Sequence, residues 1–115
     1  MGTESRRMPR RNVAGLTEVL DVMTEENVGH LGNLSVGGML LIASVPLVED
    51  ALYQLRFSLP DSDGTGIEVG AHVLWRDDAS APGQSWARLR FLGLAPEATR
   101  ALRDWVGQGG TGDTY

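Results

Sequence analysis

Ile67-Glu68-Val69-Gly70-Ala71-His72-Val73-Leu74-Trp75 places Ile67, Val69, Ala71, Val73 and Trp75 on one side of an extended chain. Glu68, Gly70, His72 and Leu74 fall on the other. A period of two is that of a β-strand with one face on a core. The pattern repeats outward in both directions. Before it, Tyr53, Leu55, Phe57 and Leu59 alternate with Leu52, Gln54, Arg56 and Ser58, and Asp61-Ser62-Asp63-Gly64-Thr65-Gly66 joins the two strands as a turn. After it, Asp77 to Gln84 is a polar loop containing Pro82-Gly83, and Ala87, Leu89 and Phe91 then alternate with Arg88 and Arg90. Further upstream, Met39-Leu40-Leu41-Ile42 is a compact apolar strand expected to be buried on both faces. A strand at about 28–34 precedes it. A first strand at roughly 14–23 carries Leu16, Leu20 and Val22, and Thr24-Glu25-Glu26-Asn27 turns between those two.

The period changes at the end. Ala98, Ala101, Leu102, Trp105 and Val106 fall at i, i+3, i+4, i+7 and i+8, one face of an amphipathic helix. Pro96 and Glu97 suit its first turn and Gly107 its stop. Six strands followed by a helix predict an all-β domain closed into a barrel, with Leu102 and Trp105 over one opening. Trp75, Trp86 and Trp105 are expected in core or barrel-rim packing, with one available to a base if it lies near the N-terminal segment.

The chain has 115 residues, enough for one domain. It has no cysteine, which excludes a disulfide framework, a thiolate metal site and a cysteine nucleophile. The longest apolar run, Met39 to Ala43, is far short of a membrane span, and no apolar stretch comes after the first arginines as a secretory signal would require. The expected location is cytoplasmic, without membrane insertion. The net charge of −5 argues against a general nucleic-acid binder. All ten basic residues are arginine, and Arg6, Arg7, Arg10 and Arg11 crowd the first twelve positions. Such a cluster on an acidic body points to a planar or forked anion.

Residues 1–12 read as a flexible arm, 13–107 as the barrel and helix, and 108–115, glycine-rich, as a loose tail. In an extended arm, arginines four apart stand roughly 13 Å from each other, wide enough to straddle a sizeable anion. Asn33-x-Ser35-x-x-Gly38 is a turn whose side chains can bond to the backbone or to a ligand, and Gly37 and Gly38 permit close approach. Asp61-x-Asp63-x-Thr65-Gly66 resembles the start of a calcium loop, but the closing glutamate would fall on His72, so a hairpin turn is the better reading. His30 and His72 lack metal-ligand spacing. No nucleophile, base and orienting group come together, so no enzyme and no cofactor are expected.

An Arg-x-x-x-Arg arm followed by Asn-x-Ser-x-x-Gly in a six-strand barrel resembles the PilZ domain family. Val73-x-Trp75 and the segment around Phe91 are similar to its later strands. The resemblance spans about residues 6–106. It implies a six-stranded antiparallel β-barrel of bacterial second-messenger signalling that binds cyclic di-GMP. It further implies a stand-alone receptor that orders its arm on the ligand and acts on an unidentified effector protein. The ligand-binding residues it implies are Arg6, Arg7, Arg10, Arg11, Asn33, Ser35, Gly37 and Gly38. Arg6 and Arg10 form the motif pair in one frame, and Arg7 and Arg11 in a second. Asn33 and Ser35 would supply hydrogen bonds, and Gly38 would leave space. An adaptor of the same fold that binds no nucleotide is the alternative. A single-stranded nucleic-acid binder, using the barrel and the arm, is a third reading that the acidic body disfavours.

Overall fold

A computed structural model of the protein describes residues 9–60, 64–78 and 82–108. Seven strands and one helix succeed one another along the chain: β1 (Arg11–Asn12), β2 (Glu18–Asp21), β3 (Glu26–Leu34), β4 (Gly38–Ala43), β5 (Leu52–Ser58), β6 (Gly66–Asp78), β7 (Ser85–Leu92) and α1 (Pro96–Gln108). Every pairing is antiparallel. The ladder runs β3-β2-β5-β6-β7-β4, and β4 pairs back onto β3. Six strands thus close a barrel, and β1 is an additional short strand on β3.

Alternation builds the core as expected. Ile67, Val69, Ala71 and Val73 of β6 are buried, as are Leu55 and Phe57 of β5 and Ala87 and Leu89 of β7. Each fully buried Leu or Val side chain contributes about 1.5–3 kcal/mol relative to exposure. The helix caps this core with Leu102, Trp105 and Val106, all buried. The Trp105 indole Nε1 donates to the Pro60 carbonyl at 2.7 Å, which ties α1 to the chain leaving β5.

The structure departs from the sequence reading at several places. Glu26 and Asn27, read as part of a turn, open β3 and pair with Asp21 and Leu20. The first strand is shorter than 14–23 and is interrupted. Gly15, at φ +80°, separates β1 from β2, and the two lie end to end along the same edge of β3. The Val13 amide donates to Gly32 O and the Leu31 amide to Thr17 O, carrying the ladder across the break. In β4 only one face is buried: Met39, Leu41 and Ala43 point into the barrel, whereas Leu40 and Ile42 are half-buried on its outer wall. Asp77 and Asp78 are not in a loop, because Trp86 and Ser85 of β7 pair with them. Gly107 lies inside α1, which runs on to Gln108. Finally, Trp75 leaves the inward phase. The register shifts between Val73 and Trp75, so Val73 is buried whereas Trp75 is 43% exposed. A β-bulge of this kind inserts one residue and reverses the facing of the residues after it. Trp86 also lies outside, and Trp105 alone of the three tryptophans is in the core. Of the expected turn at 61–66, only Gly64, Thr65 and Gly66 lie within the described residues.

Candidate functional site

Arg6 and Arg7 lie outside the described residues. Arg10 and Arg11 are adjacent in sequence and part in direction, as side chains on an extended backbone must. The Arg10 guanidinium donates through Nη1 to Asn33 Oδ1 at 3.2 Å. Arg11 turns toward the helix. Its Nη1 donates to the Trp105 carbonyl at 2.7 Å, and its guanidinium carbon lies 4.2 Å from the centroid of the Trp105 ring. The contact therefore combines a charged hydrogen bond with a cation–π interaction on a buried indole.

A second bulge presents Asn33. The β3–β4 register shifts between Leu31 and Asn33, across Gly32. Leu31 and Leu34 are both buried, so the extra residue between them turns Asn33 to the outer wall. Asn33 then heads a row of paired residues across four strands: Asn33 opposite Leu40, Leu40 opposite Arg88, Arg88 opposite Trp75. At about 4.8 Å per strand, the row spans roughly 14 Å. One end is polar and touches the arm; the other is an exposed indole; Leu40 lies between. The bulges at Gly32 and Leu74 are thus the devices that aim both ends outward. Nothing in the alternation of the sequence marks either.

Ser35 is 3% exposed, and its hydroxyl is engaged within the turn. It accepts from the Gly37 and Gly38 amides, each at 3.2 Å, and donates to Gly38 O at 3.3 Å. The Ser35 amide also donates to Gly38 O, at 2.9 Å. The turn is fastened to β7 by the Phe91 amide, which donates to Gly37 O at 2.9 Å. A Cβ on Gly38 would stand 2.1 Å from the Leu89 carbonyl oxygen. The space that glycine provides at this position is filled by the neighbouring strand. Ser35 and Gly38 therefore shape the turn that carries Asn33.

The row lies on the outer wall of the barrel, across β3, β4, β7 and β6. A concavity lined by Ser44, Arg76, Asp78 and Ser85 contains none of these residues. A second groove, between β2 and β5, contains none of them either. Among the described residues, no cluster of three His, Asp or Glu could hold a metal ion, and no helix is long and apolar enough to cross a membrane.

The structure is thus a closed six-stranded barrel that carries an Asn-x-Ser-x-x-Gly turn beside Arg10. Residues 4–108 match the PilZ domain family, and the chain belongs to it. Three solved structures share the fold. MotI/DgrA, the inhibitor of motility of Bacillus subtilis, superposes with a TM-score of 0.73 at 18% identity over 90% of this chain and 50% of its own. YcgR of Escherichia coli in complex with c-di-GMP gives 0.71 at 19% identity, covering 90% of this chain and 45% of that protein. The isolated PilZ domain of YcgR with c-di-GMP gives 0.68 at 16% identity, covering 90% of this chain and 89% of the domain. The chain thus spans about half the length of MotI and of YcgR. No curated protein matches the sequence at significance.

Proposed function

We propose that this protein is a cyclic di-GMP receptor that binds the nucleotide on the outer wall between Asn33 and Trp75, encloses it with its N-terminal arm, and signals to an effector protein. The observation that carries the reading is the Arg10–Asn33 hydrogen bond of 3.2 Å, which joins the second arginine of the arm to the first residue of the turn motif. Membership of the PilZ family and the fold shared with YcgR, whose structures contain c-di-GMP, support it.

The chemistry fits the wall. Guanidinium groups bind phosphates and the O6/N7 edge of guanine bidentately and stack on its face. The Asn33 amide can accept from, and donate to, a guanine edge. Trp75 offers an exposed aromatic face, and stacking a base on such a face contributes about 1–3 kcal/mol. Arg6 and Arg10 form the ligand pair, because Arg11 is taken up by Trp105. Residues 1–12 form the binding arm, 13–107 the barrel and helix, and 108–115 a loose tail. Ordering the arm costs roughly 1–2 kcal/mol per residue, which several charge-assisted contacts of about 1.5–3 kcal/mol each offset. Ligand binding would then change the surface seen by the effector. No catalytic step is assigned to the chain, and the cytoplasm, where such a messenger is found, is its proposed location.

Isothermal titration of the purified protein with cyclic di-GMP, against GMP and cyclic di-AMP, tests the reading. Saturable, guanine-specific binding is expected. A flat titration by folded protein would overturn it and leave an adaptor that binds no nucleotide.

A further inference from the structure

Four arginines among the described residues are half-buried: Arg10, Arg11, Arg76 and Arg88. Three have partners. Arg10 bonds Asn33, Arg11 bonds and stacks on Trp105, and Arg76 donates to Asp78 at 3.3 Å. Among the described residues, Arg88 alone of the four makes no side-chain hydrogen bond, ion pair or ring contact. Its neighbours Ala87 and Leu89 point into the core, so its own side chain lies on the outer wall. There it occupies the third position of the row, between Leu40 on β4 and Trp75 on β6.

A half-buried cation without a partner is unfavourable, since charge is partly withdrawn from water and nothing replaces the hydration. Burial accordingly pushes the Arg88 guanidinium below its ordinary pKa, although an arginine stays charged at neutral pH. No anionic side chain among the described residues offsets that cost. Charge without a structural partner, aligned with the two proposed ends of a ligand site, is the arrangement expected of a group whose counter-ion arrives with the ligand.

We propose that Arg88 is a ligand-binding residue, whose guanidinium takes a phosphodiester oxygen of the nucleotide lying between Asn33 and Trp75. The planar fork suits a phosphate better than a single point charge does. The position also suits a phosphodiester. A base stacked on Trp75 and a second polar contact at Asn33 leave the linking phosphate over the middle of the row. This assignment rests on the receptor reading and names a contact that the arginine arm and the turn motif do not include. In the sequence Arg88 has no motif to mark it; it is simply an outward position of an alternating strand.

The test titrates wild type, Arg88→Gln and Arg88→Lys with cyclic di-GMP and records the melting temperature of each without ligand. Wild type should bind. Arg88→Gln should melt at the wild-type temperature or above it and bind at least about tenfold more weakly, as loss of a charged hydrogen bond requires. Arg88→Lys should fall between them. Arg88→Gln binding as tightly as wild type would overturn the assignment and leave the receptor reading intact. A lower melting temperature for Arg88→Gln would also overturn it, by showing a structural role. Failure of the wild type itself to bind would overturn the receptor reading, and this one with it.

Discussion

Arg11 stacks on Trp105 and donates to the same residue's carbonyl oxygen, at 4.2 Å to the ring centroid and 2.7 Å to the oxygen. One arginine thus clamps the start of the chain to the C-terminal helix that caps the barrel. Trp105 in turn donates to Pro60, so three distant segments meet at one indole. Arg10 has a different partner, the Asn33 side chain.

Arg11→Ala should therefore cost stability. A cation–π contact and a charged hydrogen bond together imply a loss of about 1–3 kcal/mol, or a fall in Tm of roughly 5–10 °C. Urea unfolding followed by tryptophan fluorescence would read it. Affinity for cyclic di-GMP, measured on the folded fraction, should fall less than in Arg10→Ala. An Arg11→Ala protein as stable as wild type would show that the clamp adds nothing to the fold.

Arg10 and Asn33 should show the reverse profile. Their contact is part-buried and lies at the edge of the wall. Arg10→Ala should leave Tm within a few degrees of wild type and weaken cyclic di-GMP binding by about 10- to 150-fold, the value of a charged hydrogen bond of about 1.5–3 kcal/mol. Because both side chains would contact the ligand and each other, Arg10→Ala and Asn33→Ala combined should lose less than the sum of the two single losses. A double-mutant cycle by titration calorimetry measures this. Strict additivity would argue that the two residues do not share the ligand.

Most of the fold can be read from period alone, because a strand with one buried face writes its geometry into alternate residues. β5, β7 and the helix obey that rule. The proposed site is harder to read for a physical reason. Asn33 and Trp75 reach the outer wall only because bulges at Gly32 and Leu74 break the period, and a bulge has no composition of its own. The motif residues Ser35 and Gly38 are legible as a turn. The amides that Ser35 accepts from are local to that turn, whereas the Leu89 carbonyl that crowds Gly38 becomes visible only once β4 is paired with β7. Arg88 looks like any solvent-facing residue until its two cross-strand neighbours are known.

Trp75 and Trp86 are both partly exposed on the outer wall, one row apart. Trp75 should report the ligand and Trp86 should not. Trp75→Phe should remove most of the fluorescence change on adding cyclic di-GMP, whereas Trp86→Phe should retain it. Trp75→Ala should weaken binding by roughly 5- to 150-fold, from a stacking contribution of about 1–3 kcal/mol. An undiminished signal in Trp75→Phe would place the nucleotide elsewhere on the barrel.

Ser35 and Gly38 provide the test of whether the turn motif acts through shape. Ser35→Ala removes the acceptor of two amides, and a buried polar group left unpaired costs about 1–3 kcal/mol. The protein should lose about 2 kcal/mol of stability, and its affinity should fall because Asn33 is no longer held in place. Gly38→Ala should be more damaging to the fold. The new methyl would meet a backbone oxygen at 2.1 Å, so β4 and β7 must separate locally. Overpacking of this kind costs about 1–3 kcal/mol or more. Amide exchange should then quicken at Phe91, whose N–H is bonded to Gly37, before it quickens in β5 or β6. If Ser35→Ala instead kept its full Tm and lost all binding, the hydroxyl would act on the ligand directly and not through the shape of the turn.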